Sequence, residues 1–291
     1  MTRSIDTLLV VGVGLIGGSV AAALKRAGKV RHVIGVGRGQ ANLERALELK
    51  VIDEAARDLP AAARSADLVL VAVPVAQTGA VLSGLADAVA SGTLLTDAGS
   101  TKRDFIAAAR SAFGPKIANV VPGHPIAGAE LTGVDAASPD LFQGKRVVLT
   151  PVAESPPEAI ETVEAMWSAC GARVTRMDPE HHDRVFSAVS HLPHMLAFAL
   201  VEMIAGRDES EELFSFAASG FRDFTRIAGS SPEMWRDICL SNRDLVVADI
   251  EAFQHSLSEL AQCIRAADAE GVRRVFESAR SARQRWIDSQ S

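Results

Sequence analysis

Short apolar runs alternate with helix-like segments along the first 177 residues of the chain. The strand-like runs are 8–11, 33–36, 68–73, 93–96, 119–122, 147–150 and 173–177. Helix-like stretches such as 19–27, 42–50 and 77–90 lie between them. Continuous apolar runs this short are typical of strands that are buried on both faces. The alternation therefore predicts a doubly wound parallel sheet, which binds ligands at the carboxyl ends of its strands.

The pattern changes near residue 178, where strand-like runs nearly vanish. Long helical stretches then take over, at 185–205, 233–257 and 272–287. We predict two domains, an α/β domain at 1–177 and an all-α domain at 178–291. The stretch from His194 to Ala205 is so apolar that we expect it to pack against other helices or a second subunit.

Capping residues predict where several helices begin. Thr101 fits a capping box with an acid three residues later, and Ser155 precedes two prolines and a glutamate. Asp178 and Ser231 each precede a proline, which is favoured at the first position of a helix.

The first strand leads into a glycine turn that reads G-x-G-x-x-G, and a helix-like run follows. In this context, Gly12 allows a sharp turn, Gly14 lets the backbone approach a pyrophosphate, and Gly17 lets helix and strand pack closely. The N-terminus of the helix then faces the phosphates. The sequence therefore predicts a Rossmann-type dinucleotide site. Its candidate contacts are Gly12, Gly14, Leu15, Ile16, Gly17, Val73 and Pro74.

The end of the second strand bears on the choice of cofactor. An acid that binds the adenosine ribose is usual there, but this chain has Gly37 followed by Arg38. A guanidinium can bind a 2′-phosphate, whereas a carboxylate repels it. We expect NADP, with NAD as a second cofactor, although Arg38 as a solvated surface residue remains the alternative.

Composition narrows the class of protein. The chain has 291 residues, is 48% hydrophobic and carries a net charge of −6, so it has no basic footprint for nucleic acid. We find no apolar run long enough for a membrane span and no signal peptide at the N-terminus. The three cysteines are widely spaced and form no metal motif, which favours a reducing cytoplasm.

Candidate catalytic residues follow the predicted strands. His124 lies in a Gly-His-Pro turn after the 119–122 strand, where a neutral imidazole could accept a proton from a hydroxyl whose carbon loses hydride. Ser100 could bind the same oxygen or the nicotinamide amide, or serve as a plain turn residue. Glu130 could orient groups or gate the pocket, or form a surface ion pair. A loop histidine bonded to backbone is the alternative for His124.

The helical half offers further polar candidates. His191 and His194 are three residues apart, but no cysteine or carboxylate nearby completes a metal site, so we expect no metal. Substrate contacts are favoured, with His194 ahead of His191, and a buried core histidine is the alternative. One arginine near the Phe-Thr-Arg-Ile segment could bind a carboxylate in bidentate fashion. Position alone does not choose between Arg222 and Arg226.

Four segments resemble the prephenate and arogenate dehydrogenases of tyrosine biosynthesis, and the resemblance extends across nearly the whole chain. They are the glycine turn, His-Pro-Ile-Ala-Gly-Ala-Glu at 124–130, Ser-His-Leu-Pro-His at 190–194, and Asp-Phe-Thr-Arg-Ile-Ala with Pro-Glu-Met-Trp at 223–235. The resemblance implies a helical domain that pairs in a homodimer. It also implies oxidative decarboxylation of a cyclohexadienol, in which C4 gives hydride to the nicotinamide and the ring carboxylate leaves as CO2.

The resemblance also implies roles for single residues. His124 takes the proton of the 4-hydroxyl, with Ser100 as its hydrogen-bonding partner, and Arg226 binds the ring carboxylate. Ser190 and His194 bind the side-chain end of the substrate. Trp235 walls the pocket, and Asp183 matches a position that we interpret as structural.

Some features depart from the family or favour other functions. The commoner threonine before Glu130 is Ala129 here, which removes a polar contact. The preference for prephenate, with a pyruvyl side chain, or arogenate, with an alanyl one, stays open. A β-hydroxyacid dehydrogenase would need a lysine in the helical half, and the last lysine is Lys145. A non-catalytic sensor of NADP would need neither His124 nor a carboxylate-binding arginine.

Overall fold

A computed structural model describes residues 4–128 and 132–289 and divides the chain into two compact units. The first unit spans 1–242, and the second spans 243–291.

A parallel five-stranded sheet in the order β3-β2-β1-β4-β5 forms the centre of the first unit. Its strands are β1 (Thr7–Val11), β2 (His32–Val36), β3 (Glu54–Ala55), β4 (Leu68–Val71) and β5 (Leu94–Asp97). Its helices are α1 (Leu15–Arg26), α2 (Gln40–Glu48), α3 (Leu59–Ala63), α4 (Thr78–Leu85) and α5 (Arg103–Phe113). Alternate residues of β1 enter two cores, with Leu8 and Val10 in one and Leu9 and Val11 in the other. The predicted doubly wound sheet is confirmed.

A second sheet takes the remaining strands and corrects part of the prediction. It contains β6 (Gly123–Pro125), β7 (Arg146–Leu149) and β8 (Arg173–Arg176), and α6 (Pro157–Ala169) lies between β7 and β8. Strands β6 and β7 are antiparallel. Of the predicted 119–122 strand, only Val120 bridges the parallel sheet, opposite Leu95. Pro122 has no N–H to donate, so pairing with β5 does not continue.

From Pro179 to its end, the first unit is mostly helical. It contains α7 (Pro179–Phe186), a π-helical turn (Ser187–His191), α8 (Leu192–Ala205), α9 (Ser210–Ser215), α10 (Ser219–Thr225) and α11 (Pro232–Ser241). The second unit consists of α12 (Arg243–Arg265) and α13 (Ala269–Asp288). The single helix predicted at 233–257 is wrong, because Asn242 has non-helical φ and ψ angles and ends α11. Its buried amide donates instead to the carbonyl of Asp183.

The helical stretch Pro179–Ala205 is long and apolar enough to cross a membrane by length and composition. Our expectation that no stretch reaches this length was therefore too strong. His182 and Asp183, near its start, are wholly buried, and Asp183 binds backbone N–H groups at the start of α5.

Two of the predicted caps are confirmed and two are wrong. The side chains of Asp178 and Ser231 accept hydrogen bonds from the first turns of α7 and α11. Thr101 does not cap α5, because its hydroxyl bonds Ser241. Ser155 does not cap α6, because its hydroxyl donates to the carbonyl of Val120.

Candidate active site

The glycine turn between β1 and α1 has the geometry that its sequence predicts. Gly12 has a φ of 100°, and a Cβ there would lie 2.3 Å from the carbonyl oxygen of Ala72. A Cβ on Gly17 would lie 2.2 Å from the carbonyl oxygen of Gly12. A Cβ on Gly14 would meet nothing within 4 Å, so this residue borders open space.

The N-terminus of α1 fits the pyrophosphate of a dinucleotide. Gly14 is the N-cap, supplies no side-chain cap, and is followed by a first turn without acids. Such a helix end attracts anions through its N–H groups and its dipole. Leu15 and Ile16 begin this helix and are half-buried. Val73 borders the turn, with its Cγ1 3.1 Å from the position of a Cβ on Gly12, and exposed Pro74 follows it.

Arg38 lies just beyond β2 and is exposed. Within residues 4–128 and 132–289 it has no hydrogen bond or ion pair. A Cβ on the neighbouring Gly37 would make only an ordinary contact, 3.6 Å from Leu43. A side chain at that position would therefore fit. Packing therefore does not explain why position 37 lacks an acidic residue. The absence of that negative charge affects only the chemistry of the site.

His124 lies within strand β6, opposite Val148 of β7. Our prediction of a histidine in a turn after a strand is therefore wrong, because Gly123 and Pro125 pair with β7 as well. His124 as a whole is only 9% exposed. Its Nδ1 lies 2.9 Å from Nε2 of His182, and the ring of Phe186 packs edge-on at 4.7 Å. His124 is thus held by side chains of α7.

Asp183 extends this contact into a line of three groups. Its Oδ1 lies 2.7 Å from Nδ1 of His182, and both side chains are wholly buried. The carboxylate also accepts hydrogen bonds of 2.9 Å from the backbone N–H groups of Lys102 and Arg103. Asp183 therefore caps α5, in place of Thr101. This agrees with the structural interpretation of Asp183, but sequence reasoning missed His182.

The burial of these groups changes their protonation. Burial holds the pKa of His124 well below its usual range, and any positive charge on His182, Lys102 or His191 would lower it further. Burial also lowers the pKa of His182, although Asp183 opposes the shift. For Asp183, burial alone would raise the pKa, but its hydrogen bonds outweigh burial and keep the pKa below normal. At neutral pH both rings are neutral and Asp183 is ionised.

A buried ion pair fixes the strand that carries His124. Nζ of Lys102 donates to Oδ2 of Asp97 at 2.5 Å and to the carbonyl of Gly123 at 2.7 Å. The N–H of Gly123 donates to Oδ1 of Asp97 at 3.0 Å. Both charged side chains are almost completely buried. This pair therefore joins the end of β5 to β6, and sequence reasoning missed it.

Ser100 lies in the loop after β5 and is half-buried. In the part of the chain that the structure describes, it has no hydrogen-bond partner. It does not bond Nδ1 of His124, which contacts His182. Its proposed partners are therefore substrate or cofactor atoms, and this role stays a prediction.

The candidates from the helical half, Ser190, His194 and Trp235, form a second cluster, apart from the cluster around His124. The rings of His194 and Trp235 are stacked at 3.6 Å. Nδ1 of His194 bonds the backbone carbonyl of Ser190 at 2.8 Å, and does not contact its hydroxyl. The indole nitrogen of Trp235 is buried and has no hydrogen-bond partner among the described residues. The ring centroids of His191 and Trp235 are 6.0 Å apart, and a charge on His191 would lower the pKa of His124, so the two groups of side chains adjoin.

The two candidate arginines differ in their surroundings. Both Arg222 and Arg226 are exposed. Burial lowers the pKa of His194, and the charge of Arg226 adds to that shift, so Arg226 lies near the His194 ring.

The remaining candidates are His191 and Glu130. His191 is buried and bonds the amide of Asn242 at 3.2 Å, which is a structural contact. Glu130 and Ala129 lie outside the described residues.

Among the described residues, no group of three or more His, Cys, Asp or Glu side chains is arranged to hold a metal ion. The arrangement instead offers an anion-binding helix end, a buried neutral imidazole and a nearby guanidinium. These groups suit proton transfer beside a bound dinucleotide and an acidic substrate.

Known proteins match the chain along most of its length. The sequence model of the prephenate dehydrogenase nucleotide-binding domain matches residues 20–176, and that of the prephenate dehydrogenase dimerization domain matches 178–278. A prephenate dehydrogenase of Bacillus subtilis is 37% identical over 288 residues, covering 97% of this chain and 76% of the relative. A cyclohexadienyl dehydrogenase of Zymomonas mobilis is 34% identical, covering 95% and 94%.

A solved structure is also similar. The crystal structure of prephenate dehydrogenase from A. aeolicus in complex with hydroxyphenyl propionate and NAD+ superposes with a TM-score of 0.90. The two sequences are 36% identical, and the match covers 98% of this chain and 99% of that one.

Alanine substitutions at two glycines of the turn separate packing from ligand binding. We expect Gly17→Ala to lower the thermal unfolding midpoint, because the new Cβ meets backbone. Gly14→Ala leaves the midpoint near wild type but weakens dinucleotide binding, because it narrows open space at the helix end. Calorimetry without and with cofactor measures both effects. Equal midpoints for the two variants would contradict the packing assignment.

Proposed function

The chain belongs to the prephenate dehydrogenase family, and we propose that it oxidises and decarboxylates prephenate to 4-hydroxyphenylpyruvate in tyrosine biosynthesis. The observation that supports this function most directly is the burial of His124. Burial lowers the pKa of this imidazole, so the ring is neutral and able to accept a proton. Loss of CO2 makes the ring aromatic, which supplies the driving force. The protein's task is to orient the ring against the cofactor and to remove one proton.

The proposed cofactor is NADP, with NAD as the alternative. When bound, the nicotinamide accepts hydride from C4 of the substrate. Gly12, Gly14, Gly17 and the start of α1 are proposed to hold the pyrophosphate, with Leu15, Ile16, Val73 and Pro74 lining the path of the dinucleotide. Arg38, without a partner among the described residues, supports the phosphorylated cofactor. The relative from A. aeolicus was solved with NAD+, which supports NAD as the alternative.

His124 is proposed as the general base. It accepts the proton of the 4-hydroxyl as hydride leaves C4, because a neutral imidazole has one bare nitrogen. Ser100, in the loop after the neighbouring strand β5, is proposed to donate a hydrogen bond to the same oxygen or to the nicotinamide amide.

The second cluster is proposed to bind the substrate's acidic groups. Arg226 pairs with the ring carboxylate, and its effect on the pKa of His194 supports a place beside that ring. Ser190 and His194 contact the side-chain end, and Trp235 forms a wall stacked on His194. Glu130 is proposed to orient groups at the pocket.

Arogenate is the alternative substrate, alone or together with prephenate. The Zymomonas relative is named a cyclohexadienyl dehydrogenase, so the assay should include both prephenate and arogenate. A non-catalytic NADP sensor remains the distant alternative, and turnover of either substrate would reject it.

We also propose that the chain is a homodimer, with domains at 1–177 and 178–291, and that the second domain carries the interface. The helices of 243–291 expose large apolar side chains, namely Val247, Leu257, Ile264, Val275, Phe276 and Trp286. In α8, only Ala197 is buried. A second copy of the same helices would cover such surfaces.

A cytoplasmic location, without a membrane or nucleic-acid partner, completes the proposal. The net charge of −6 supports the lack of a nucleic-acid partner. The described cysteines are free, and burial raises the pKa of the Cys170 thiol to about 12, which keeps that group unreactive.

Replacing the base tests the mechanism. We expect His124→Asn to lower kcat by roughly 10²- to 10⁴-fold, the usual contribution of a general base. Cofactor affinity and the unfolding midpoint should stay near wild type, because asparagine keeps a polar group at this position. Steady-state kinetics, titration calorimetry and thermal unfolding measure the three quantities. Turnover near wild type would show that His124 is not the base.

A four-way assay of prephenate and arogenate with NADP and NAD tests both specificities. We expect prephenate with NADP to give the highest kcat/KM.

Arg38→Ala should raise the KM for NADP by roughly 10- to 100-fold, since a charge-assisted bond contributes about 1.5–3 kcal/mol. The KM for NAD is the internal control and should not change. An equal effect on both cofactors would reject the 2′-phosphate contact.

Sedimentation tests the homodimer. We expect a particle of twice the 30.7 kDa chain mass. Phe276→Arg, in the second unit, should shift the particle towards monomer, whereas Leu49→Arg, which is exposed on the first unit, should not. A monomer for the wild type would contradict the proposal.

A further inference from the structure

Three buried groups, Asp183, His182 and His124, stand in a single hydrogen-bonded line. Asp183 Oδ1 contacts His182 Nδ1 at 2.7 Å, and His182 Nε2 contacts His124 Nδ1 at 2.9 Å. The two outer members come from α7 and from β6, and 58 residues separate His124 from His182. We propose that His182 and Asp183 are positioning residues that set the tautomer of His124. This inference rests on the proposed role of His124 as the base.

The acceptor at the start of the line has a fixed charge. Asp183 receives the backbone N–H groups of Lys102 and Arg103, and the guanidinium Nε of Arg103 lies 3.3 Å away. A carboxylate with these donors stays ionised and has no proton to give. Nδ1 of His182 must therefore carry the proton of the 2.7 Å bond.

The tautomer of His182 then determines that of His124. A neutral His182 with its proton on Nδ1 has a bare Nε2, which accepts a hydrogen bond. The facing Nδ1 of His124 must supply that bond. In a neutral His124, the other nitrogen, Nε2, is therefore bare, which is what a general base requires.

The neighbouring charges favour this arrangement. Burial, with the positive charge of Lys102 nearby, lowers the pKa of His124 and keeps the resting ring neutral. Asp97 neutralises Lys102 directly, and Asp183 faces His182 from the far side. Phe186 packs against both imidazoles, at 4.7 Å and 4.5 Å, and limits their rotation.

The proton count is simple. The proton leaves the substrate's ring hydroxyl and binds Nε2 of His124, while Nδ1–H of His124 continues to donate to His182. The new positive charge thus has an acceptor that is itself supported by the Asp183 carboxylate. No other bond of the line changes.

Two amide variants of His182 separate positioning from packing. Glutamine reaches about as far as Nε2 of histidine and can offer a carbonyl oxygen to His124. Asparagine reaches about as far as Nδ1, so it can donate to Asp183 but leaves His124 without an acceptor. Both variants remove the imidazole, and both keep a polar group in the same buried site.

We expect His182→Asn to lower kcat by about 10²- to 10⁴-fold, the range seen when a catalytic histidine loses its orienting partner. His182→Gln should lose only about tenfold, since it restores an acceptor for Nδ1–H. The KM values and the cofactor affinity should stay near wild type in both. Steady-state kinetics with prephenate and NADP, and thermal unfolding of both variants, provide the measurements.

Equal losses of kcat in variants of equal stability would overturn the proposal, and so would a larger loss in the glutamine variant. The ¹⁵N chemical shifts of the His124 ring give a readout that does not depend on turnover. His182→Gln should keep the proton on Nδ1 of His124, and His182→Asn should redistribute it. Unchanged shifts in the asparagine variant would reject the tautomer control, whereas a wild type that turns over neither substrate would reject the proposed function.

Discussion

The buried carboxylate of Asp183 is the interaction on which the rest of the site depends. It accepts the first N–H groups of α5 through Lys102 and Arg103, and it accepts Nδ1–H of His182. One side chain of α7 therefore joins the nucleotide-binding sheet to the helical part of the first unit. Removing it would leave helix N–H groups and an imidazole unpaired in the interior, which is costly.

A second buried charge completes the frame around His124. Lys102 lies after the loop that follows β5, and its ammonium group donates hydrogen bonds to Asp97 and to the carbonyl of Gly123. Strand β6 is therefore attached to the end of β5, where the nicotinamide of a doubly wound fold is expected. Lys102 takes part in both sets of contacts, because its backbone N–H donates to Asp183 and its ammonium group donates to Asp97 and Gly123. These contacts explain how an antiparallel strand outside the main sheet holds His124, the proposed base, beside the end of β5.

Local signals in the sequence predicted the parts of the site that depend on neighbours in the chain. The glycine turn, the strand pattern and the caps at Asp178 and Ser231 are of this kind, because their geometry arises within a few residues. His182 and the capping role of Asp183 depend on contacts far along the chain, so no local pattern could place them. Thr101 satisfied a capping pattern, yet a buried carboxylate from α7 took that position because it also satisfies His182. The notion of His124 in a turn failed for a similar reason, since its pairing with β7 is a distant contact.

The most direct test of this account is a crystal structure of the chain with NADP and a hydroxyphenylpropionate analogue. We predict that the analogue's hydroxyl oxygen lies within about 2.6–3.2 Å of Nε2 of His124, while Nδ1 keeps its contact with His182. A hydroxyl bound only by Ser100 or solvent, with Nε2 of His124 turned away, would contradict the assignment of the base.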